Sequence, residues 1–284
     1  MNIALDCVPC LVRQAIDSAR RVTGDTRVHE EILRSLLRMS ADLDFALAPP
    51  YVSQQVHRWL RERTGVLDPY REAKTRMNEL ALRALPALSS AIELSHDPLR
   101  TAARFAVAAN ALDLGTDAKL TEEEMQRALR GGAGDIFFGD FEAFRRAAAR
   151  AQKILYLADN AGEIAVDRLA TEQLGPRRVT VVVRGKPVLN DATLEDARQV
   201  GLTDLVRVID NGSDAPGTIL DECSPAFVRE FEDADLIIAK GQGNFETLSH
   251  VRRPIAFWFK VKCKVVAAHA RLPIGTYALL PPQE

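Results

Sequence analysis

Asp159, Asn160 and Asp191 bring two carboxylates and a carboxamide to the ends of two neighbouring apolar runs. Oxygen donors of this kind suit a hard divalent cation such as Mg²⁺ or Mn²⁺, with water completing the coordination. The competing reading is local: Asp159 caps the helix that follows and Asn160 sits in a turn, as Asx residues commonly do. Lys240 directly precedes Gly241 in the stretch Lys-Gly-Gln-Gly-Asn-Phe-Glu, residues 240–246. Glycine lets backbone amides approach an anion and lysine adds a compact positive charge, so this segment suits a phosphate or a carboxylate. Its alternative is a tight turn with a solvated lysine. Cys7 and Cys10 form a Cys-x-x-Cys pair ahead of a helix, a spacing open to a redox pair, half of a zinc site or plain packing. Cys223 and Cys263 are the remaining thiols, and no second pair has this spacing. His29, His57, His96, His250 and His269 show no ligand spacing.

The elements that must position these residues follow from hydropathy. Apolar runs occur at Ile154–Ala158, Val179–Val183, Leu205–Ile209, Leu236–Ala239 and Ile255–Phe259. They are short, rich in Val and Ile, and do not alternate, which suits strands buried on both faces. Helical stretches separate most of them, for example Pro225 to Phe231 behind the cap Ser224. Strand–helix repetition predicts an α/β unit with a mostly parallel sheet. Ligands of such sheets bind beyond the carboxyl ends of the strands. Each of the five runs ends in a polar cluster: Asp159 to Glu163, Arg184 to Asp191, Asp210-Asn211-Gly212, Lys240 to Glu246, and Lys260 with Lys262.

Residues 1–150 have a different character and read as helical. Leu11, Val12, Ala15, Ile16 and Ala19 recur at helical spacing. Further helices are expected over 28–47, stopping before Pro49-Pro50, and over 52–63, ending at Gly65. Asp68-Pro69 and Asp97-Pro98 each offer an N-cap with proline at the first helical position, the second helix stopping near Gly115. Thr121 with Glu124 fits a capping box, and Gly131, Gly132, Gly134 and Gly139 mark a loop. The expected organisation is a helical domain over 1–150, acting as lid and substrate-selecting side, and an α/β domain over 151–284.

Composition removes several classes. The 284 residues are 47% hydrophobic and 27% charged, which excludes a disordered or collagen-like chain. With 37 Lys plus Arg against 39 Asp plus Glu, the formal charge is −2, and no basic block is present to bind nucleic acid. Aromatic residues at 6% leave few platforms for stacking single strands. No apolar run is long enough to span a bilayer, and the N-terminus lacks the pattern of a targeting segment, so a cytoplasmic location is expected. The glycines fit neither a Walker loop nor a dinucleotide fingerprint, which disfavours a nicotinamide dehydrogenase.

The clusters Asp159-Asn160-Ala161-Gly162-Glu163, Pro187 to Thr193 and Lys240 to Glu246 resemble the metal-dependent damage-control phosphatases, long grouped as a domain of unknown function. Cys7-x-x-Cys10 and Lys262-Cys263 are similar to its prokaryotic branch, as is Ala109-Asn110 with Asp113, although glycine is usual where Ala109 stands. The resemblance implies a helical N-terminal domain on a Rossmann-like three-layer α/β/α domain. It implies hydrolysis of small phosphorylated metabolites such as sugar phosphates, nucleotides or cofactor phosphates, with Mn²⁺, Co²⁺, Ni²⁺ or Mg²⁺. By motif position, Asp159, Asn160 and Asp191 become metal ligands, with Glu163 beside them. Asp159, Asp191 and Lys240 carry the chemistry, and Lys240 and Lys260 meet the substrate phosphate. Asn190, Gly241 and Asn244 fall on the substrate and phosphate side, and Asn110 and Asp113 select the organic part.

Two mechanisms remain open: a metal-activated water and an aspartate nucleophile, for which Asp159 is first in line. Two other function classes also stand. One is a metal- or metabolite-binding protein without turnover, and the other is a carboxyl methyltransferase using the same cleft.

Overall fold

The structure, a computed structural model, describes residues 1–110 and 137–283. Its centre is a seven-stranded sheet of β1 (Phe137–Phe138), β2 (Ile154–Leu157), β3 (Val179–Val183), β4 (Arg207–Asp210), β5 (Leu236–Lys240), β6 (Ile255–Lys260) and β7 (Tyr277–Leu280). The spatial order is β1-β7-β6-β5-β2-β3-β4. Every pairing is parallel except β6 with β7. From β2 the chain winds outward through β3 to β4, then returns to the other side of β2 and continues through β5, β6 and β7. That is the strand order of the doubly wound dinucleotide folds, with its reversal between β2 and β5.

Eleven α-helices lie among the described residues: α1 (Cys7–Val22), α2 (Thr26–Ala41), α3 (Pro49–Thr64), α4 (Arg71–Glu93), α5 (Pro98–Ala109), α6 (Phe141–Arg150), α7 (Glu163–Leu174), α8 (Leu194–Gln199), α9 (Pro225–Asp233), α10 (Gly241–Leu248) and α11 (Lys264–Ala270). Side chains of a strand alternate between faces, and here both faces are apolar. Ile154, Tyr156, Val181, Ile238 and Trp258 pack with α4, α5, α6 and α7. Leu155, Leu157, Val182, Ile237 and Phe259 pack with α9, α10 and α11. This makes three layers, α/β/α. A third apolar cluster joins α1, α2 and α3. No helix of the described residues is long and apolar enough to cross a membrane.

Asp97 and Ser224 cap α5 and α9 as expected, accepting the N–H groups of Arg100 and Phe227. Several boundaries differ. Pro49-Pro50 opens α3 rather than ending the helix before it, because proline's missing N–H costs nothing in a first helical turn. Asp68 takes the Tyr70 N–H in a turn, and α4 starts only at Arg71. The third apolar run pairs from Arg207, since Leu205 is still in the preceding turn. Strands β1 and β7 were not expected. Asp113, Gly115, Thr121, Glu124, Gly131, Gly132 and Gly134 lie outside the described residues.

Candidate active site

The strand order places a crevice where the chain leaves β2 and β5 in opposite directions. Asp159 and Asn160 follow β2, and Lys240 ends β5. Gly241 has φ +77°, and a Cβ there would stand 2.0 Å from Asp159 Oδ2. Glycine at 241 is therefore what lets the Asp159 carboxylate sit against the start of α10. Asp159 does not cap α7; that place belongs to Gly162, also at positive φ. The Gly162 N–H donates to Asn78 Oδ1 of α4 at 2.6 Å, which fixes the turn from the helical side.

Asp191 arrives from the loop after β3. Leu189 takes a left-handed conformation (φ 47°), and the loop folds against residues 159–161. Ala161 N–H donates to Asn190 O (2.9 Å), and Ala192 N–H donates to Asp159 O (2.8 Å). An antiparallel bridge joins Asn160 to Asp191. Asp159, Asn160 and Asp191 are thus brought together, and the role of Asn190 here is played by its backbone.

Two carboxamides and two carboxylates interlock at the centre. Asn110 Nδ2 donates to Asp159 Oδ2 (2.8 Å) and Glu163 Oε2 (3.0 Å). Asn160 Nδ2 donates to the same two oxygens at 2.8 and 3.1 Å. Asn110 Oδ1 accepts the Lys260 N–H at 3.2 Å, tying the end of α5 to the end of β6. Asn110 is itself right-handed (φ −65°), so Ala109 serves as the last residue of α5 without a glycine's freedom. Asp191 Oδ2 accepts from Arg184 Nε at 2.7 Å, and Arg184 reaches to 3.9 Å from Asp159 Oδ1. Burial, then the nearby charges of Glu163 and Asp191, hold the Asp159 carboxyl well above the usual carboxylate range, while Arg184 and Lys262 oppose that rise. Burial also raises Asp191, against the pull of Arg184.

Lys240 differs from its sequence-based expectation as an ammonium beside glycine amides. Its side chain is fully buried. Nζ donates to Glu163 Oε1 (2.5 Å), Asp167 Oδ1 and Ala106 O (3.0 Å), so all three donors are in use. Burial works against that ammonium, but Asp167 and Glu163 together keep its pKa raised. Lys260 Nζ lies 5.0 Å from the Tyr277 ring centroid, over the ring face. Asn244 is buried, donates to Lys240 O (2.7 Å) and accepts from Thr218 Oγ1 (2.8 Å), which braces α10 against β5.

The sequence points to Arg184 only as the head of a polar cluster and not to Asp167, Tyr156 or Asn78, yet all four contact this centre or its immediate neighbours. Asp167 carried one usable signal: it lies four residues after Glu163 and so on the same helix face. Cys7 and Cys10 open α1 as free thiols. Burial first, and the charges of Glu246 and Cys263, raise the pKa of both. Cys263 caps α11, its Sγ accepting the Val266 N–H.

The donor set fits a hard divalent cation. Asp191 is buried and Asp159 largely so, desolvation before any other cause raises both carboxyl pKa values while Arg184 opposes the rise, and a cation bound between the two would favour their ionised forms. Among the described residues no three His, Cys, Asp or Glu side chains stand ready to hold a metal. The set here is two carboxylates and Asn160, which turns Nδ2 toward Asp159 and would ligate through Oδ1 once its carboxamide turned over.

Comparison with known proteins places these features in a family. Residues 3–276 match the damage-control phosphatase ARMT1-like domain. The chain is 35% identical over 298 residues to an uncharacterised protein of Methanocaldococcus jannaschii, covering 99% of this chain and 95% of that protein. It is 34% identical over 283 residues to a damage-control phosphatase of Archaeoglobus fulgidus, covering 97% of each. It superposes on the crystal structure of a DUF89 family protein from Pyrococcus horikoshii with a TM-score of 0.91, at 27% identity and over 100% of both chains. With buried carboxylates at the reversal of a doubly wound sheet and a family match along nearly its whole length, this chain belongs to the damage-control phosphatase ARMT1-like family.

Proposed function

We propose that this protein is a metal-dependent phosphatase that hydrolyses small phosphorylated metabolites in metabolite damage control. The observation that carries the reading is the convergence of the oxygen-bearing side chains of Asp159, Asn160 and Asp191 at the switch point of a sheet from this family. In this reading Asp159, Asn160 and Asp191 hold a divalent ion of the Mn²⁺, Co²⁺, Ni²⁺ or Mg²⁺ class. Such an ion, when bound, supplies polarisation of a phosphoryl oxygen and an acidified water. Arg184 holds Asp191 in place through its Nε. Asn110 ties the helical side to Asp159 and Glu163 and so sets one wall for the organic part of the substrate. Lys260, at the exit of β6, is the cation assigned to the substrate phosphate. Lys240 acts behind the site, on Glu163, rather than on the phosphate.

The test is phosphate release from a panel of sugar phosphates, nucleotides and cofactor phosphates, with each metal and with chelator. Release that needs metal and is lost in Asp159→Asn supports the reading. Binding of a phosphometabolite without release, or transfer of a labelled methyl group to carboxylates instead, would replace it.

A further inference from the structure

Helix α3 has two faces. Val52, Val56 and Leu60 form the apolar stripe that packs with α1 and α2. Gln54, Arg58 and Arg61 recur at i, i+4 and i+7 and so share the opposite stripe. That polar stripe meets the two loops that border the crevice beyond β3 and β4. Asp214, buried on the loop after β4, accepts from Gln54 Nε2 (2.8 Å), from Arg58 Nη2 (2.7 Å) and from Arg61 Nη2. Among the described residues, Arg61 alone of the three also reaches the loop after β3, where its Nη1 donates to Pro187 O at 3.0 Å.

The loop from Pro187 to Asp191 needs such a hold. Leu189 sits in the left-handed region (φ 47°), a conformation that a side chain with a Cβ resists and that persists only where the surroundings over-determine it. On the near side of Leu189, the Lys186 N–H donates to Ser213 O at 3.2 Å. On the far side, the Ala161 N–H holds Asn190 O and Arg184 Nε holds Asp191 Oδ2. Arg61 grips the stretch between these moorings. Its bond to Asp214 is backed by Arg58 and Gln54, so loss of Arg61 leaves that carboxylate with a cation and an amide still on it. The Pro187 O contact has no such backing from α3 among the described residues.

We propose that Arg61 is a positioning residue for the candidate metal set: by pinning Pro187 from α3, it holds the loop in the conformation that brings Asp191 beside Asp159 and Asn160. This rests on the phosphatase reading above. Arg61 acts through the main chain of the loop, at a position four residues before Asp191. The α1–α3 module is thereby part of the framework of the site, although its apolar cluster is separate from those that cover the sheet.

The experiment measures Mn²⁺ binding by isothermal titration calorimetry on the full-length wild type, Arg61→Met and Arg58→Met. Urea denaturation and phosphate release from p-nitrophenyl phosphate are read on the same preparations. Loss of a group that orients a metal ligand costs about 10- to 100-fold in metal affinity or activity. Arg61 stands one step further out, so the dissociation constant for Mn²⁺ in Arg61→Met should rise by about 10-fold, the lower end of that range. Activity should fall in limiting Mn²⁺ and return toward the wild-type kcat in excess Mn²⁺, because mass action then favours the bound loop conformation. Arg58→Met strips Asp214 and Glu222 of a partner but leaves Pro187 O held. It should lose at least as much stability while its Mn²⁺ affinity stays near that of the wild type. A wild-type dissociation constant in Arg61→Met overturns the proposal and leaves the phosphatase reading standing. So does an equal rise in Arg58→Met, since the joint as a whole rather than the grip on Pro187 would then set the affinity. Activity that stays low at saturating Mn²⁺ also overturns it. If Arg61→Met does not fold, Arg61→Lys keeps a charge for Asp214 but replaces the planar fork by a point charge. Its dissociation constant should rise in the same direction, and a wild-type value counts against the proposal. A wild type that binds no Mn²⁺ and releases no phosphate with any metal removes the phosphatase reading itself, and this inference with it.

Discussion

Gly241→Ala isolates the contact on which the candidate site depends. The added methyl would lie 2.0 Å from Asp159 Oδ2, 2.2 Å from Cγ and 2.7 Å from Oδ1, whereas ordinary contact begins at 3.4 Å. Asp159 Oδ2 must therefore retreat by about 1.4 Å (3.4 − 2.0). Asp159 cannot do so freely, because Asn110 and Asn160 hold the same oxygen at 2.8 Å each. Positive φ adds a backbone cost of about 1–2 kcal/mol for alanine. At roughly 2–4 °C per kcal/mol for a chain of this size, the melting temperature should drop by a few degrees. A displacement beyond 1 Å at a reacting centre costs about 10²-fold in rate. The control is Gly65→Ala: the same positive φ (71°), but nothing within 4 Å of the new methyl. Gly65→Ala carries the positive-φ cost alone, so Gly241→Ala should lose more stability by thermal denaturation, and only Gly241→Ala should lose kcat/KM for metal-dependent phosphate release. Gly241→Ala with activity within about threefold of Gly65→Ala would refute the reasoning, since steric expulsion of Asp159 predicts a far larger gap.

Other expectations are as direct. Asp191→Ala should destabilise by about 3–5 kcal/mol in urea denaturation, because it leaves the buried Arg184 without its carboxylate. Asp191→Asn keeps the shape and should stop turnover with a smaller stability loss, and full turnover in Asp191→Asn would count against a catalytic role. Burial lowers the His57 pKa from 6.5 to about 4, so the folded protein keeps it neutral while the unfolded chain takes up a proton below pH 6.5. Its contribution is complete above about pH 6.5 and falls away toward pH 4, by roughly 3 kcal/mol in all. His57→Leu should flatten that acid slope, and an unchanged slope in unfolding experiments between pH 7 and 4 would place the sensitivity elsewhere. Cys7 and Cys10 lie beside each other, Glu246 and Cys263, with Arg13 near Cys10. A Cys7→Ser, Cys10→Ser variant should keep near-normal hydrolysis, and a changed catalytic metal affinity in it would contradict a separation of these thiols from the catalytic centre.

Much of the fold was legible because parallel strands buried on both faces have an unmistakable pattern, and because each polar cluster follows its strand's carboxyl end. Ile154–Leu157 and Leu236–Lys240 read as strands for the reason they pair: unbroken apolar runs with no exposed face. Strand β7 escaped notice because Tyr277–Leu280 is short, runs antiparallel to β6 and is directly followed by two prolines. Pro49-Pro50 misled because proline signals a stop and a start with the same chemistry. At the site, the sequence could show that Lys240 ends a strand beside glycine, but not which way its side chain turns. That direction is set by Asp167 and Glu163 on α7 and by Ala106 O on α5, which come from segments 73, 77 and 134 residues away. The role of Arg184 was only partly legible: Asp191 is seven residues on in the same loop, but Thr218 and Asn244 come from segments 34 and 60 residues away.

The reversal of strand order between β2 and β5 also governs how the chain is made. On the ribosome, β2, β3 and β4 emerge in succession and can pair at once as a three-stranded half-sheet. The other edge of β2, Ile154 to Leu157, stays bare until Leu236–Lys240 has been synthesised. That edge is wholly apolar in side chain and unsatisfied in backbone, the combination that invites pairing with another chain. The nascent protein therefore passes through an interval of about eighty residues of synthesis, 158 to 236, in which its central strand is its most adhesive one. The segment that ends the interval also delivers Gly241 to Asp159. Closing the sheet and completing the crevice are one event, so a chain stalled before residue 236 has neither a protected core nor an assembled site.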